Sequence, residues 1–187
     1  MPLTAPRSEK KGFEAGVYDA VCYSVLDVGT QENKFGKKHQ ICIGWKFTQY
    51  TYEDGNNVSY HQTYTLSMNE KAKLRELLAG WCLGEVKNPE AFDFESLLGR
   101  PCKVILAPNT NGTIQAKTVM KADLDDVPPF SAEFFSFGDW DGGDLPEFLM
   151  TDRNKWKRER IQEAEEYVKK PAPTEKQEAV DGEASPF

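Results

Sequence analysis

Between His39 and Phe47 the side chains alternate in character residue by residue. His39, Ile41, Ile43, Trp45 and Phe47 fall on one face, and Gln40, Cys42, Gly44 and Lys46 on the other. An extended strand turns successive side chains to opposite faces, so this stretch predicts a half-buried strand with its apolar face on a core. The signal recurs on both sides. Gly16 to Val28 is β-branched and aromatic, with Val17, Tyr18, Val21, Tyr23, Val25 and Val28, and predicts a long strand ending at Gly29. Ser59 to Leu66 sets Tyr60, Gln62, Tyr64 and Leu66 against His61, Thr63 and Thr65. The polar stretch Gln31 to Lys38 reads as a loop between the first two strands. The Asp-Gly in Glu53 to Asn57 marks a turn before the third.

Then the period changes. Leu74, Leu77, Leu78 and Trp81 recur at helical spacing within Ser67 to Leu83. Ser67, with Glu70 three residues on, has the pattern of a capping box, and Gly84 ends the helix. A connector, Phe92 to Leu98, leads to a fourth strand, Cys102 to Ala107. Asn109 to Gly112 reads as a hairpin turn before a fifth strand, Thr113 to Met120. Three strands, one helix and two strands predict a mainly β fold. The favoured form is a five-stranded OB-fold Greek-key barrel with its helix between strands three and four; an α+β sandwich with the helix on one face is the alternative. About 110 residues suffice for one such core.

The barrel is expected over 12–122. Residues 1–11, with Pro2, Pro6 and a charged run, are expected as a disordered leader. Residues 123–170 form an acidic aromatic linker and a C-terminal helix. Phe130, Phe134, Phe135, Phe137 and Trp140 either wrap the barrel or bind something else. Trp156, Ile161, Ala164, Tyr167 and Val168 mark one side of that helix. Residues 171–187 are too polar and Pro-interrupted to fold alone, and are expected as a disordered acidic tail.

Charge follows the same division. Residues 1–121 hold 15 basic and 13 acidic side chains, and 122–187 hold 8 and 17. A slightly basic body can meet a polyanion that an acidic tail would repel or imitate. No apolar run approaches the roughly 18 residues of a membrane span, and Met1 to Lys11 has no apolar signal region, so neither membrane nor export is expected. Cys22, Cys42, Cys82 and Cys102 lie far apart without a CxxC pair, which fits reduced, buried thiols rather than a zinc site.

Aromatic and basic residues concentrate in the first three strands and their loops. Tyr23, Phe35, Trp45, Tyr50, Tyr52 and Tyr60 are interleaved with Lys34, Lys37, Lys38 and Lys46. Single-strand binding without sequence preference uses that mixture, because rings stack on any base and cations follow the phosphates. These ten residues are the candidate DNA contacts. The face holding Trp45 also reads as barrel interior, whereas Lys38 and Lys46 share the opposite face. Phe35, Tyr50 and Tyr52 occupy loop or strand-end positions.

The last residues, Asp181-Gly182-Glu183-Ala184-Ser185-Pro186-Phe187, put a Phe beside Pro after an acidic stretch. Looser patterns precede them: Gly16-Val17-Tyr18-Asp19-Ala20, Phe35-Gly36-Lys37-Lys38 with Ile43-Gly44-Trp45, Leu97-Leu98-Gly99-Arg100-Pro101-Cys102, and Leu145-Pro146-Glu147-Phe148-Leu149. Together these resemble single-stranded DNA-binding proteins of the phage-encoded type, which are OB folds with an acidic tail ending in Pro-Phe. The resemblance implies that the chain coats single-stranded DNA in replication, recombination or repair. It also implies that Asp181, Glu183, Pro186 and Phe187 dock a polymerase, helicase, recombinase or nuclease. It places the protein in the cytoplasm, that of a bacterial host if phage-encoded, and allows a homo-oligomer. Only two acids stand close before the final residues, where the family usually has three or more.

Catalysis has little support. The chain contains no GxxxxGK[ST], GxSxG, HExxH or GxGxxG motif, so no enzyme and no cofactor are expected. Asp125-Asp126 and Asp139, Asp141 and Asp144 offer oxygen ligands of the kind that suit a divalent ion, but read as a solvated linker. Two rivals remain: an OB-like protein–protein adaptor without nucleic-acid binding, and a nuclease or other enzyme subunit using those aspartates.

Overall fold

A computed structural model describes residues 13–82, 84, 88–125, 127 and 129–169; the expected leader 1–11 and tail 171–187, with Asp181, Glu183, Pro186 and Phe187, lie outside them. The fold is mainly β. Its strands are β1 (Gly16–Asn33), β2 (Gly36–Thr51), β3 (Asn57–Thr65), β4 (Pro101–Pro108), β5 (Ile114–Lys121) and β6 (Glu133–Phe135). They form one sheet in the order β3-β2-β1-β4-β5, antiparallel throughout except that β6 runs parallel beside β1. Helix α1 (Lys73–Cys82) falls between β3 and β4 in the chain, as the periodicity predicts.

Two features differ from the expected barrel: there are six strands rather than five, and the sheet is open. β3 and β5 end the ladder and do not pair with each other. Side chains bridge them instead. The Ala116 N–H donates to Gln62 Oε1 at 2.7 Å and to the Tyr60 hydroxyl at 3.2 Å. An amide engaged this way is satisfied without a strand-to-strand bond. β6, at three residues, is too short to register as a period.

β1 organises the sheet. One edge pairs with β2 from Ala20 to Asn33, while the other changes partner: Gly16–Val21 lies against β4 and Ser24–Leu26 against β6. Tyr23 sits at the changeover. The register with β2 skips it, passing from Cys22↔Trp45 to Ser24↔Gly44. Such a bulge bends the strand and re-aims the extra side chain. A second skip, between Asp27 and Gly29, leaves out Val28.

The predicted loop from Gln31 to Lys38 is strand apart from the two-residue turn Lys34-Phe35. Gly36 there has φ 106°, and Asn33 Oδ1 accepts the Phe35 N–H at 2.8 Å. Residues 32–38 are exposed on both faces, so no apolar alternation betrays the strand. α1 begins six residues after Ser67. The Ser67 hydroxyl accepts from the Asn69 N–H at 3.4 Å within a turn, and no capping box forms there.

Two apolar clusters flank the sheet. In the first, Leu74, Leu78 and Trp81 of α1 pack with Ile43, Trp45 and Phe47 of β2, and the Trp45 and Trp81 ring centres lie 6.1 Å apart. The second joins Leu26, Val28 and Cys42 to Phe135, Leu145, Leu149 and Ile161. The aromatic segment therefore packs on the sheet. The single C-terminal helix predicted is two, α2 (Lys155–Gln162) and α3 (Glu165–Val168), separated at Ala164, whose ψ of 145° is extended.

Ala164 is fully buried against Gly29, which has φ 69°. A Cβ on Gly29 would come within 2.6 Å of the Ala164 Cβ and 2.7 Å of the Phe137 ring. Beside it, Glu166 accepts bonds from the Thr30 N–H at 2.7 Å and the Thr30 hydroxyl at 2.5 Å. Gly29→Ala therefore combines a left-handed backbone with overpacking and should cost about 2–4 kcal/mol. Urea unfolding measures it; an unchanged midpoint would show that α3 does not pack on Gly29.

Candidate nucleic-acid interface

A groove of about 970 Å³ opens where β2 and β3 meet the segment that β6 brings to the sheet. Tyr23, Lys46, Tyr52 and His61 line one side, and Phe130, Glu133, Phe148, Arg153, Trp156 and Lys157 the other. Each residue has a local reason to be there. The bulge directs Tyr23 out of the first core. Lys46 lies on the face of β2 opposite Trp45 and Phe47. Tyr52 follows the end of β2. Gly44 pairs with His61, and a Cβ on it would come within 2.5 Å of the imidazole, so glycine allows that ring to lie across β2.

A polar chain runs through the floor. Lys157 is 1% exposed; its ammonium donates to Glu133 Oε1 at 2.6 Å and to the Tyr23 hydroxyl at 3.3 Å. Asn154 Nδ2 donates to Glu133 Oε2 at 2.7 Å, so both carboxylate oxygens are engaged. The Tyr23 oxygen and His61 Nε2 are 2.5 Å apart. An ammonium only donates, so the Tyr23 oxygen accepts from Lys157 and passes its own proton toward His61 Nε2. That nitrogen is then the unprotonated one.

Electrostatics agree that the ring is neutral. Burial, then the Lys157 and Lys46 charges, push the His61 pKa down to about 3. Burial, then the nearby Arg153 charge, lowers Lys46, while burial raises the Tyr23 phenol. Cations also face rings. The Lys46 ammonium lies 4.9 Å from the Tyr23 ring centre, and Lys157 lies 5.2 Å from Tyr23 and 5.5 Å from Trp156. Trp156 sits edge-on to His61 at 5.2 Å. Two rings remain open to solvent, Tyr52 at 43% and Trp156 at 46% exposure.

Of the ten candidate DNA contacts, Tyr23, Lys46 and Tyr52 come together here, but Tyr23 is only 6% exposed and belongs to the floor rather than to the rings open for stacking. Trp45 and Tyr60 are corrected to core positions. Trp45 is completely buried, and Tyr60 stacks on it with its hydroxyl donating to Gln62 at 2.7 Å, so neither ring can meet a base without opening the core. Tyr50 packs against Tyr18, with ring centres 5.5 Å apart. Lys34 and Phe35 form the exposed tip of the β1–β2 hairpin, the ammonium 5.0 Å from the ring centre. Lys37 pairs with Glu165, and Lys38 is exposed outside this groove.

The missed residues are His61, Phe130, Arg153, Trp156 and Lys157. One signal was available. Five of the eight basic residues in 122–187 fall between Arg153 and Arg160, around Trp156, in an otherwise acidic region. Among the described residues no group of three or more His, Cys, Asp or Glu could hold a metal ion, and no helix is long and apolar enough to cross a membrane.

The His61 environment sets a pH response. The unfolded chain takes a proton on this ring near 6.5, and the folded one only near 3. The stability it contributes is present above pH 6.5 and is lost as pH falls toward 3, about 2 kcal/mol of it by pH 5. His39, raised by its 2.6 Å hydrogen bond to Asp27, acts oppositely: its contribution is full below the ordinary value and fades as pH rises through the folded pKa. Urea midpoints at pH 7 and pH 5 should therefore fall less for His61→Gln than for wild type. Equal falls would mean the ring is not held neutral.

No family model matches the chain, and no curated protein or solved structure matches it either.

Proposed function

We propose that this protein binds single-stranded DNA without strong sequence preference, as a non-catalytic component of replication or recombination. One observation carries the proposal: the exposed rings of Tyr52 and Trp156 flank one groove of about 970 Å³ that opens beside β3. Exposed flat rings along a groove suit a strand of unpaired bases, and stacking reads any base. The strand order supports an OB-like fold, in which the side-chain bridge from β3 to β5 stands in for the closing ladder. The acidic segment with Asp181, Glu183, Pro186 and Phe187 is the proposed docking element for replication or recombination proteins.

Anisotropy of a labelled oligo-dT tests the reading. Salt-sensitive binding without cleavage, with duplex bound more weakly, is expected. No binding at low salt would favour the adaptor instead, and metal-dependent cleavage would favour an enzyme. Tyr52→Ala and Trp156→Ala should each weaken binding by about 1–3 kcal/mol. Both rings are nearly half exposed, so melting should shift little. Variants that melt early and bind normally would place the rings in structure rather than recognition. Phe187→Ala should leave DNA affinity unchanged and reduce retention of a replication partner; equal retention would overturn the docking role.

A further inference from the structure

We propose that the phosphates of the bound strand are neutralised in a second cleft, beyond β3 from the aromatic groove, by Lys38, Lys71 and Lys73. The inference rests on the single-strand reading above and divides its labour: rings stack bases in one groove, and lysines hold the backbone in the other.

The second cleft has a volume of about 710 Å³ and lies between β3, the start of α1 and the start of β5. His61 lines both depressions, so they meet along β3. Their chemistry differs. The aromatic groove includes Glu53, Asp54 and Glu133. Arg153 pairs there with Asp54 at 3.3 Å and Lys157 with Glu133 at 2.6 Å. Burial and the Arg153 charge both disfavour the charge on Lys46, the remaining cation. The second cleft has no acidic residue in its lining. Lys38, Lys71 and Lys73 are exposed and make no salt bridge among the described residues. Thr63, Thr65 and Asn69 add uncharged polar groups around them.

A cation already paired with a carboxylate has little charge left for a phosphate, whereas a free lysine exchanges its counterion for one. Counterion exchange is what makes affinity depend on salt, with a slope of about −0.7 per phosphate neutralised on a single strand. The lysine cleft is therefore the source of the salt dependence, and the ring groove is not. β3, at nine residues, gives the path a length of about 30 Å. That suits a site within the roughly 4–16 nucleotides typical of OB-type domains.

The test is anisotropy of a labelled dT oligomer from 50 to 200 mM salt with three full-length proteins: wild type, Lys38→Gln/Lys71→Gln/Lys73→Gln, and Tyr52→Ala/Trp156→Ala. Melting temperatures check that each is folded. The triple variant should lose about 2 units of log–log slope, so that a fourfold rise in salt weakens it roughly 16-fold less than wild type. The ring variant should bind more weakly by a similar factor at every salt concentration and keep the wild-type slope. Complete loss of binding by a folded triple variant supports the inference equally. If wild type binds and the triple variant keeps its slope, or the ring variant loses it, the division of labour is overturned while single-strand binding stands. If wild type does not bind, both fall.

Discussion

The pairing of β1 with two successive neighbours on one edge is the constraint from which the other features follow. A strand edge carries hydrogen-bonding groups that must be satisfied where they are buried. β4 meets that need from Gly16 to Val21, and β6 from Ser24 to Leu26. The bulge at Tyr23 makes the change of partner possible by bending β1 between them. Once β6 is seated, the chain after it has to lie on the outer face of the sheet. There it buries Phe135, Leu149 and Ile161 over Leu26 and Val28 and supplies the far wall of the groove.

The groove is held by a buried ion pair. Lys157 and Glu133 would be costly to bury alone, and their pairing offsets desolvation only because Asn154 and Tyr23 complete the hydrogen bonds. The pair ties the first turn of α2 to β6, which fixes Trp156 at the rim. Burial, with the Lys157 and Lys46 charges added to it, keeps His61 neutral, so that Nε2 can accept a hydrogen bond from the Tyr23 hydroxyl. The ion pair thus positions an aromatic ring and adds to the burial that keeps a positive charge off His61.

The elements of the sheet were legible where burial was one-sided. The alternation from Ile41 to Phe47 marked β2 and its core face, and Leu74 to Trp81 marked α1, because in each a single face is apolar. The signal failed where both faces are solvated, as from Glu32 to Lys38, and where an element is shorter than its own period, as in β6 and α3. Barrel closure was not legible either. It depends on whether the Ala116 amide meets a carbonyl of β3 or the side chain of Gln62.

The sequence by itself determined the order of β1 to β5 with α1 between β3 and β4, the apolar face of β2 and the concentration of rings and lysines in the first half of the chain. Each of these follows from local period or composition. Tertiary structure alone decided which rings are accessible. Trp45 and Tyr60 carry the same aromatic signal as Tyr52, yet α1 and β5 cover the first two and leave the third open. It also decided that Trp156 and Lys157 stand beside residues about a hundred positions earlier. Local period reaches only a few residues along a chain, whereas the parallel seating of β6 on β1 joins segments that no spacing relates.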